Sequence, residues 1–99
     1  MSLPVLFLAG ADADLQAAFN RFEDYREGFG AEFMSAVEAH LTRISAFPLL
    51  APAYFQTIRR QVMRGFPYGI FYEPSATRVI VIALLDLRQN QEQIRRRLQ

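Results

Sequence analysis

The residues in this chain best suited to chemistry are its arginines. Arg59, Arg60 and Arg64 fall within six positions, Arg88 follows the most apolar run, and Arg95 and Arg96 lie close to the C-terminal end of the sequence. A guanidinium group is a planar fork that pairs with carboxylates and phosphates, so this set points to recognition of an anionic partner. It does not point to proton abstraction, because arginine stays protonated at any working pH and is a poor base. All eleven basic residues are Arg, which also follows from nucleotide composition alone, so placement weighs more than type. Residues 1–50 hold three Arg against seven acids, net −4, whereas residues 51–99 hold eight Arg against three acids, net +5. A chain with a formal charge of +1 is thus two oppositely charged halves, and the asymmetry marks a basic working face in the second.

Other reactive groups are sparse. The single His40 sits between Ala39 and Leu41 in an apolar-striped segment, and there is no Cys, so neither a Cys-type zinc site nor a disulfide framework can form. His40 reads as a helix-surface residue, and no metal or cofactor is called for. Asp12 and Asp14 resemble a carboxylate pair, but helix capping and the helix dipole account for them more simply. No phosphate-binding loop, dinucleotide fingerprint or nucleophile elbow is present. No catalytic residue is assigned.

The elements that carry the arginines follow from periodicity. Ninety-nine residues make one domain, 1–99, with a single core. From Ile58 to Asp86 three β-prone runs follow one another, broken at Gly65–Pro67 and at the turn Pro74–Thr77. The last, Val79–Leu85, is continuously apolar and must be covered on both faces, which makes it the central strand. Alternation along the first run places Arg60 and Arg64 on one face and Arg59 on the other. Upstream, Pro4–Leu8 reads as a strand ended by Gly10, and Asp12 as the N-cap of a helix striped by Leu15, Ala18, Phe19, Phe22, Tyr25 and Phe29. Gly28 and Gly30 bracket the helix end, and a second helix, about 31–47, shows Phe33, Val37, Leu41 and Ile44 on one face. Pro48–Tyr54 reads as irregular. Asn90 caps a last helix with Gln93 at the capping-box position, and only Ile94 and Leu98 anchor it, so it is expected to dock loosely or fray. The fold class expected is α+β, an αα-hairpin packed on one face of a small antiparallel sheet. Nine Phe and four Tyr leave two outcomes open: one dense core, or aromatic surface kept for a partner. The apolar opening segment lacks a basic start and is too short to span a bilayer, so a soluble, cytoplasmic protein without membrane contact is expected.

These residues resemble the RelE/ParE toxin superfamily of type II toxin–antitoxin systems. The resemblance runs from Pro4 to Leu98. It rests on Ala11–Asp12–Ala13–Asp14–Leu15, Ala31 and Phe33, Leu41, Ile44 and Phe47–Pro48. Further along it takes in Ile58–Arg59–Arg60, Arg64–Gly65–Phe66–Pro67–Tyr68, Ile70–Phe71–Tyr72, the apolar strand and the Arg88–Leu98 tail. It implies a β-α-α-β-β-β-α domain and a cognate antitoxin whose C-terminal segment wraps the toxin. RelE-like members cut messenger RNA on the ribosome, and ParE-like members poison DNA gyrase. The ribonuclease members often carry an Arg before the Ile-x-Tyr-like run, a His after the apolar strand and a Tyr or His near the last helix. This chain has Gly69, Asp86 and Ile94 there. The ParE-like branch is favoured: a gyrase inhibitor of the plasmid-stabilisation kind, more an interaction toxin than an enzyme, with Arg59, Arg60, Arg64, Arg88, Arg95 and Arg96 as candidate target-binding residues. The alternatives are a RelE-like endoribonuclease with a divergent site, using Tyr68 or Tyr72, and an inactive member that keeps only antitoxin binding.

Overall fold

The computed structural model describes residues 2–99. The chain runs through β1 (Val5–Phe7), α1 (Ala9–Tyr25), α2 (Phe29–Ala46), β2 (Ala53–Phe55), β3 (Ile58–Val62), β4 (Tyr68–Pro74), β5 (Val79–Asp86) and α3 (Gln91–Leu98). The strands form one sheet in the order β1-β5-β4-β3-β2. The α+β class and the β-α-α-β-β-β-α order are those expected, with one short strand added. The added strand is β2, in and just beyond the stretch read as irregular, where the backbone straightens after Pro52 and pairs with β3.

The sheet is mixed, and so departs from the antiparallel one expected. Its first strand lies parallel to β5, Val5 opposite Val79 and Phe7 opposite Val81. The reason is the αα-hairpin, which returns the chain to the far side of the sheet before the antiparallel β2–β5 series begins. The continuously apolar β5 is therefore interior, between β1 and β4, while β4 takes the middle position.

A bulge lets β5 serve two cores. Phe71 faces Ala83 but Tyr72 faces Val81, so Ile82 is the extra residue. Val79, Val81 and Leu84 pack with Phe33, Val37 and Ile44 under the hairpin. Ala83 and Leu85 join Phe71, Ile94 and Leu98 on the other face, under α3. Both clusters are nearly dry, with Val79, Val81, Ala83 and Phe71 fully buried.

The first helix starts earlier than its polar residues suggest. Leu8 is the N-cap and offers no side-chain hydrogen bond, so neither Gly10 nor Asp12 marks the boundary. Gly10 lies inside the first turn, and Asp12 contributes only a favourable charge near the helix N-terminus. Phe29 opens α2 and does not close α1. The turn between them is made at Gly28, whose φ of 86° only glycine adopts without strain. Gly28 has no capping side chain, and Glu23 of α1 takes that part by accepting from the Gly28 and Gly30 N–H groups, both at 3.0 Å. Gly30 is buried in α2, where a Cβ would lie 2.9 Å from the Phe19 ring, so the two helices meet at van der Waals contact.

Most of the aromatic surplus is absorbed in one core. Phe22 meets Phe29, Phe33, Phe66 and Tyr68 with centroids 4.9–5.7 Å apart. Tyr25, 81% exposed, and Phe47, 62% exposed, are left outside it. Among the described residues no helix is long and apolar enough to cross a membrane.

Candidate functional site

A buried tyrosine and two arginines gather around one carboxylate where β4 begins and β5 ends. Tyr68 and Asp86 are register partners, so their side chains project together toward α1. Arg21 reaches down from α1 to donate to the Tyr68 hydroxyl at 3.1 Å, and the same nitrogen lies 3.5 Å from Asp86 Oδ2. Arg88, two residues past Asp86, closes a fork on it, Nε to Oδ1 at 3.0 Å and Nη2 to Oδ2 at 2.7 Å. The Arg88 N–H also donates to Oδ1, at 2.9 Å.

The electrostatics follow from that geometry. The Arg88 hydrogen bonds hold the Asp86 carboxyl below the usual carboxylate range, with Arg21 assisting. Burial raises the Tyr68 hydroxyl above the ordinary phenol value, an effect that Arg21 and Arg88 partly offset. The cluster therefore holds an ionised carboxylate with both oxygens occupied beside a neutral phenol. Such a phenol can donate a hydrogen bond or a proton, but neither group is poised to take a proton near neutrality.

A carboxyl whose pKa is lowered by folding contributes stability above the ordinary carboxylate range, and that contribution is lost as the pH falls through the lowered value. Asp86→Asn should therefore lower Tm at neutral pH and flatten the acid limb below about pH 4. Thermal melts from pH 7 to pH 2 check this. Superimposable acid limbs for the variant and the parent would show that Asp86 is not so held.

The structure spreads the six candidate arginines over both faces of the sheet. Arg59, opposite Tyr72, donates to the carbonyls of Ala51 at 2.6 Å and Leu49 at 3.2 Å. Tyr72 donates to the Pro48 carbonyl at 2.8 Å, so the two residues staple 48–51 to the sheet. Arg60, opposite Phe71, faces the α3 side, its guanidinium carbon 4.6 Å from the centroid of the Tyr54 ring. The Tyr54 hydroxyl in turn donates to Gln91 at the start of α3. Gln91 and Arg95 are one helical turn apart, so Arg60 and Arg95 border the same outer face. Arg96 is exposed and lies 3.9 Å from Glu92, a weak surface pair.

Arg64 does not share a face with Arg60. β3 ends at Val62, and Arg64 lies in the following turn beside His40 and Arg43 of α2. Arg88 and Arg59 stand far apart on the sheet. They sit at the Tyr68 and Tyr72 ends of β4, about 13 Å apart along the strand.

The last helix is held by more than its two apolar residues. Ile94 and Leu98 are buried, and Asn90 caps the helix by accepting from the Glu92 N–H at 2.7 Å. Arg97 adds a two-pronged pair to Asp14 of α1, Nη1 to Oδ1 at 2.9 Å and Nη2 to Oδ2 at 2.8 Å. Asp14 Oδ2 also accepts from the Leu84 N–H at 3.1 Å, on the stretch of β5 past the end of its pairing with β1.

Arg21 was not among the residues the sequence singled out, and Asp14, read there as a capping and helix-dipole residue, instead pairs with Arg97. The signal was present: Asp14 and Arg21 stand four positions before and three after the buried Ala18, on the helix face that meets the sheet. Gly69, where the ribonuclease relatives often hold Arg, lies beneath Leu87. A Cβ there would fall 2.9 Å from Leu87 Cδ2 and 3.4 Å from the stem of Arg60.

No protein-family model matches the sequence, and no curated protein is similar to it in sequence. Among solved structures, a chain of the "Chromosomal ParDE TA system from P. aeruginosa" superposes with a TM-score of 0.77. The match covers 88% of this chain and 98% of that one, at 9% sequence identity. The two chains share a fold, and it is the fold that the RelE/ParE resemblance implied.

Proposed function

We propose that this protein is the toxin of a toxin–antitoxin pair, and that it acts in the ParE manner, by binding DNA gyrase rather than by cutting RNA. The observation that carries the reading is the fold shared with a ParDE-system chain over 88% of the sequence. The chemistry around Tyr68 supports the second half. Asp86 is held ionised by the Arg88 fork, the phenol is held neutral by burial, and Leu87 fills the space over Gly69. An RNA-cleaving site needs an acceptor for the 2′-hydroxyl proton, and these groups are tuned away from that role.

The target-binding set remains Arg59, Arg60, Arg64, Arg88, Arg95 and Arg96. Within it, Arg59 staples a loop and Arg88 holds Asp86, whereas Arg60, Arg64, Arg95 and Arg96 hold no loop or buried carboxylate in place. The cognate antitoxin covers apolar surface that the fold leaves exposed, in an interface of about 1,200–2,000 Å² or more. Both partners act on a protein that works in the cytoplasm.

The test is a gyrase supercoiling and cleavage assay run beside a ribosome-programmed RNA cleavage assay. Wild-type protein should inhibit gyrase and leave messenger RNA intact. Arg60→Glu should weaken inhibition about tenfold or more by reversing attraction and steering at the contact. Tyr68→Phe keeps the ring and should inhibit nearly as well as wild type. The endoribonuclease reading would have to work through the Tyr68 hydroxyl as a proton donor, bonded by Arg21 beside Asp86. RNA cleavage by the wild type that is lost in a folded Tyr68→Phe variant would establish that reading instead.

A further inference from the structure

We infer that the cleft between α2 and the β3–β4 turn is a docking site for an acidic segment of a protein partner. The inference is independent of whether that partner is an antitoxin, a gyrase subunit or neither. The cleft, about 520 Å³, is lined by Ala39, His40, Arg43, Gln61, Val62 and Arg64. Its two arginines differ from most in the chain. Arg21, Arg26, Arg88, Arg96 and Arg97 each have a carboxylate within 4 Å, Arg59 is bound to carbonyls and Arg60 lies on a tyrosine ring. Arg43 and Arg64 have no such partner among the described residues, yet both line one cleft. Two like charges beside one cavity repel, and a bound anion relieves the repulsion.

The cleft is held in shape before anything binds. His40 Nδ1 lies 2.7 Å from the Ala36 carbonyl, which can only accept, so Nδ1 carries the proton. Nε2 then accepts from the Arg64 N–H at 3.3 Å. In this tautomer the imidazole ties the β3–β4 turn to α2, on the cleft that Arg43 and Arg64 line. A partner meeting this cleft need not order it, which lowers the entropy cost of binding.

The surroundings select a peptide over a nucleic acid. Val62 in the cleft is 48% exposed. One turn past Arg43, α2 gives way to Phe47, Leu49 and Leu50, an apolar ledge held out by the Arg59 and Tyr72 staples, each residue 60% exposed or more. Two cationic jaws next to an apolar ledge complement a chain that mixes carboxylates with apolar side chains. A phosphate backbone calls instead for a longer basic track.

The test uses the full chain labelled with ¹⁵N and three probes: the random copolymer poly(Glu,Tyr), poly-Glu, and a single-stranded DNA 12-mer. Poly(Glu,Tyr) should bind most tightly and shift the amide signals of His40, Arg43, Arg64 and 47–50 together. Arg43→Gln/Arg64→Gln should weaken it about tenfold or more, and Leu49→Ser/Leu50→Ser should bring it down to the poly-Glu level. Arg78→Gln, which removes one positive charge elsewhere, should leave it within about twofold. The inference is overturned by equal losses in the Arg43/Arg64 and Arg78 variants, by no binding of poly(Glu,Tyr), or by tighter binding of the 12-mer at the same residues, which would make the cleft a nucleic-acid site. All variants replace exposed side chains, and circular dichroism confirms their folding.

Discussion

Val81→Asp should leave the domain unfolded or close to it. Val81 is fully buried at the point where β5 meets both neighbours, opposite Phe7 of β1 and Tyr72 of β4, and it packs under the αα-hairpin. A carboxylate there would lie among apolar side chains and out of contact with solvent. It must be buried unpaired or protonated, at about 3–5 kcal/mol or more either way. A small domain has a net stability of only about 5–15 kcal/mol. The loss should lower Tm by about 15 °C or more, given about 4–8 °C per kcal/mol at this size. Leu6→Asp is the matched control. Leu6 belongs to the neighbouring strand and is register partner to Ile80, but it is 49% exposed, so its variant should melt within a few degrees of the parent. A Val81→Asp protein that melts like the Leu6→Asp control would mean that β5 is not the buried strand on which both cores depend.

That strand was the most legible part of the sequence. Seven apolar residues in a row can only be interior, and both helix stripes pointed to the side of the sheet that the hairpin covers. What sequence could not supply was partner direction and long-range pairing. The run Pro4–Leu8 reads as a strand whichever way its neighbour points, and its parallel seat beside β5 is decided by how the hairpin carries the chain across the sheet. The start of α1 was misplaced because Leu8 caps it without a polar side chain, so no capping signal exists to read. The faces of Arg60 and Arg64 were misassigned because alternation holds only while the strand lasts, and β3 stops at Val62.

The candidate site was legible as composition and not as geometry. Arginines in the second half announce a basic surface. Which of them are committed internally depends on contacts such as Arg59 with the carbonyls of 49 and 51, or Arg88 with Asp86. The acidic half of the chain is drawn into the same structure. Asp14 and Arg21 of α1 reach across to Arg97, Leu84, Tyr68 and Asp86, so the charge asymmetry along the sequence is partly cancelled where the halves meet. The positive charge without a carboxylate in salt-bridge contact among the described residues lies on Arg43, Arg59, Arg60, Arg64, Arg78 and Arg95, of which Arg59 is bound to carbonyls.

Asp14→Ala should be the most damaging substitution of a polar residue, because one carboxylate joins three elements. It accepts two hydrogen bonds from Arg97 of α3 and one from the Leu84 N–H of β5, residues 83 and 70 positions away in sequence. Charge-assisted hydrogen bonds contribute about 1.5–3 kcal/mol when buried, and a buried N–H left without an acceptor costs about 1–3 kcal/mol. Arg97 is partly exposed, its side chain at 42%, so solvent screening reduces the first of these. A total loss of about 2–4 kcal/mol is expected from the two together. The two parts separate by substitution. Arg97→Ala removes only the ion pair and should cost about half as much as Asp14→Ala. Asp14→Asn keeps an oxygen for the Leu84 N–H and should fall between them. The double variant Asp14→Ala/Arg97→Ala should cost less than the sum of the singles, since the pair is lost once. Hydrogen exchange locates the effect. In Arg97→Ala the amides of α3 should open first, because only Ile94, Leu98 and the Tyr54–Gln91 hydrogen bond then hold it among the described residues, while β4 and β5 stay protected. If α3 exchanges as fast in the parent as in Arg97→Ala, the helix is loose in both, the pair adds nothing, and the sequence-based expectation of a fraying C-terminal helix stands after all.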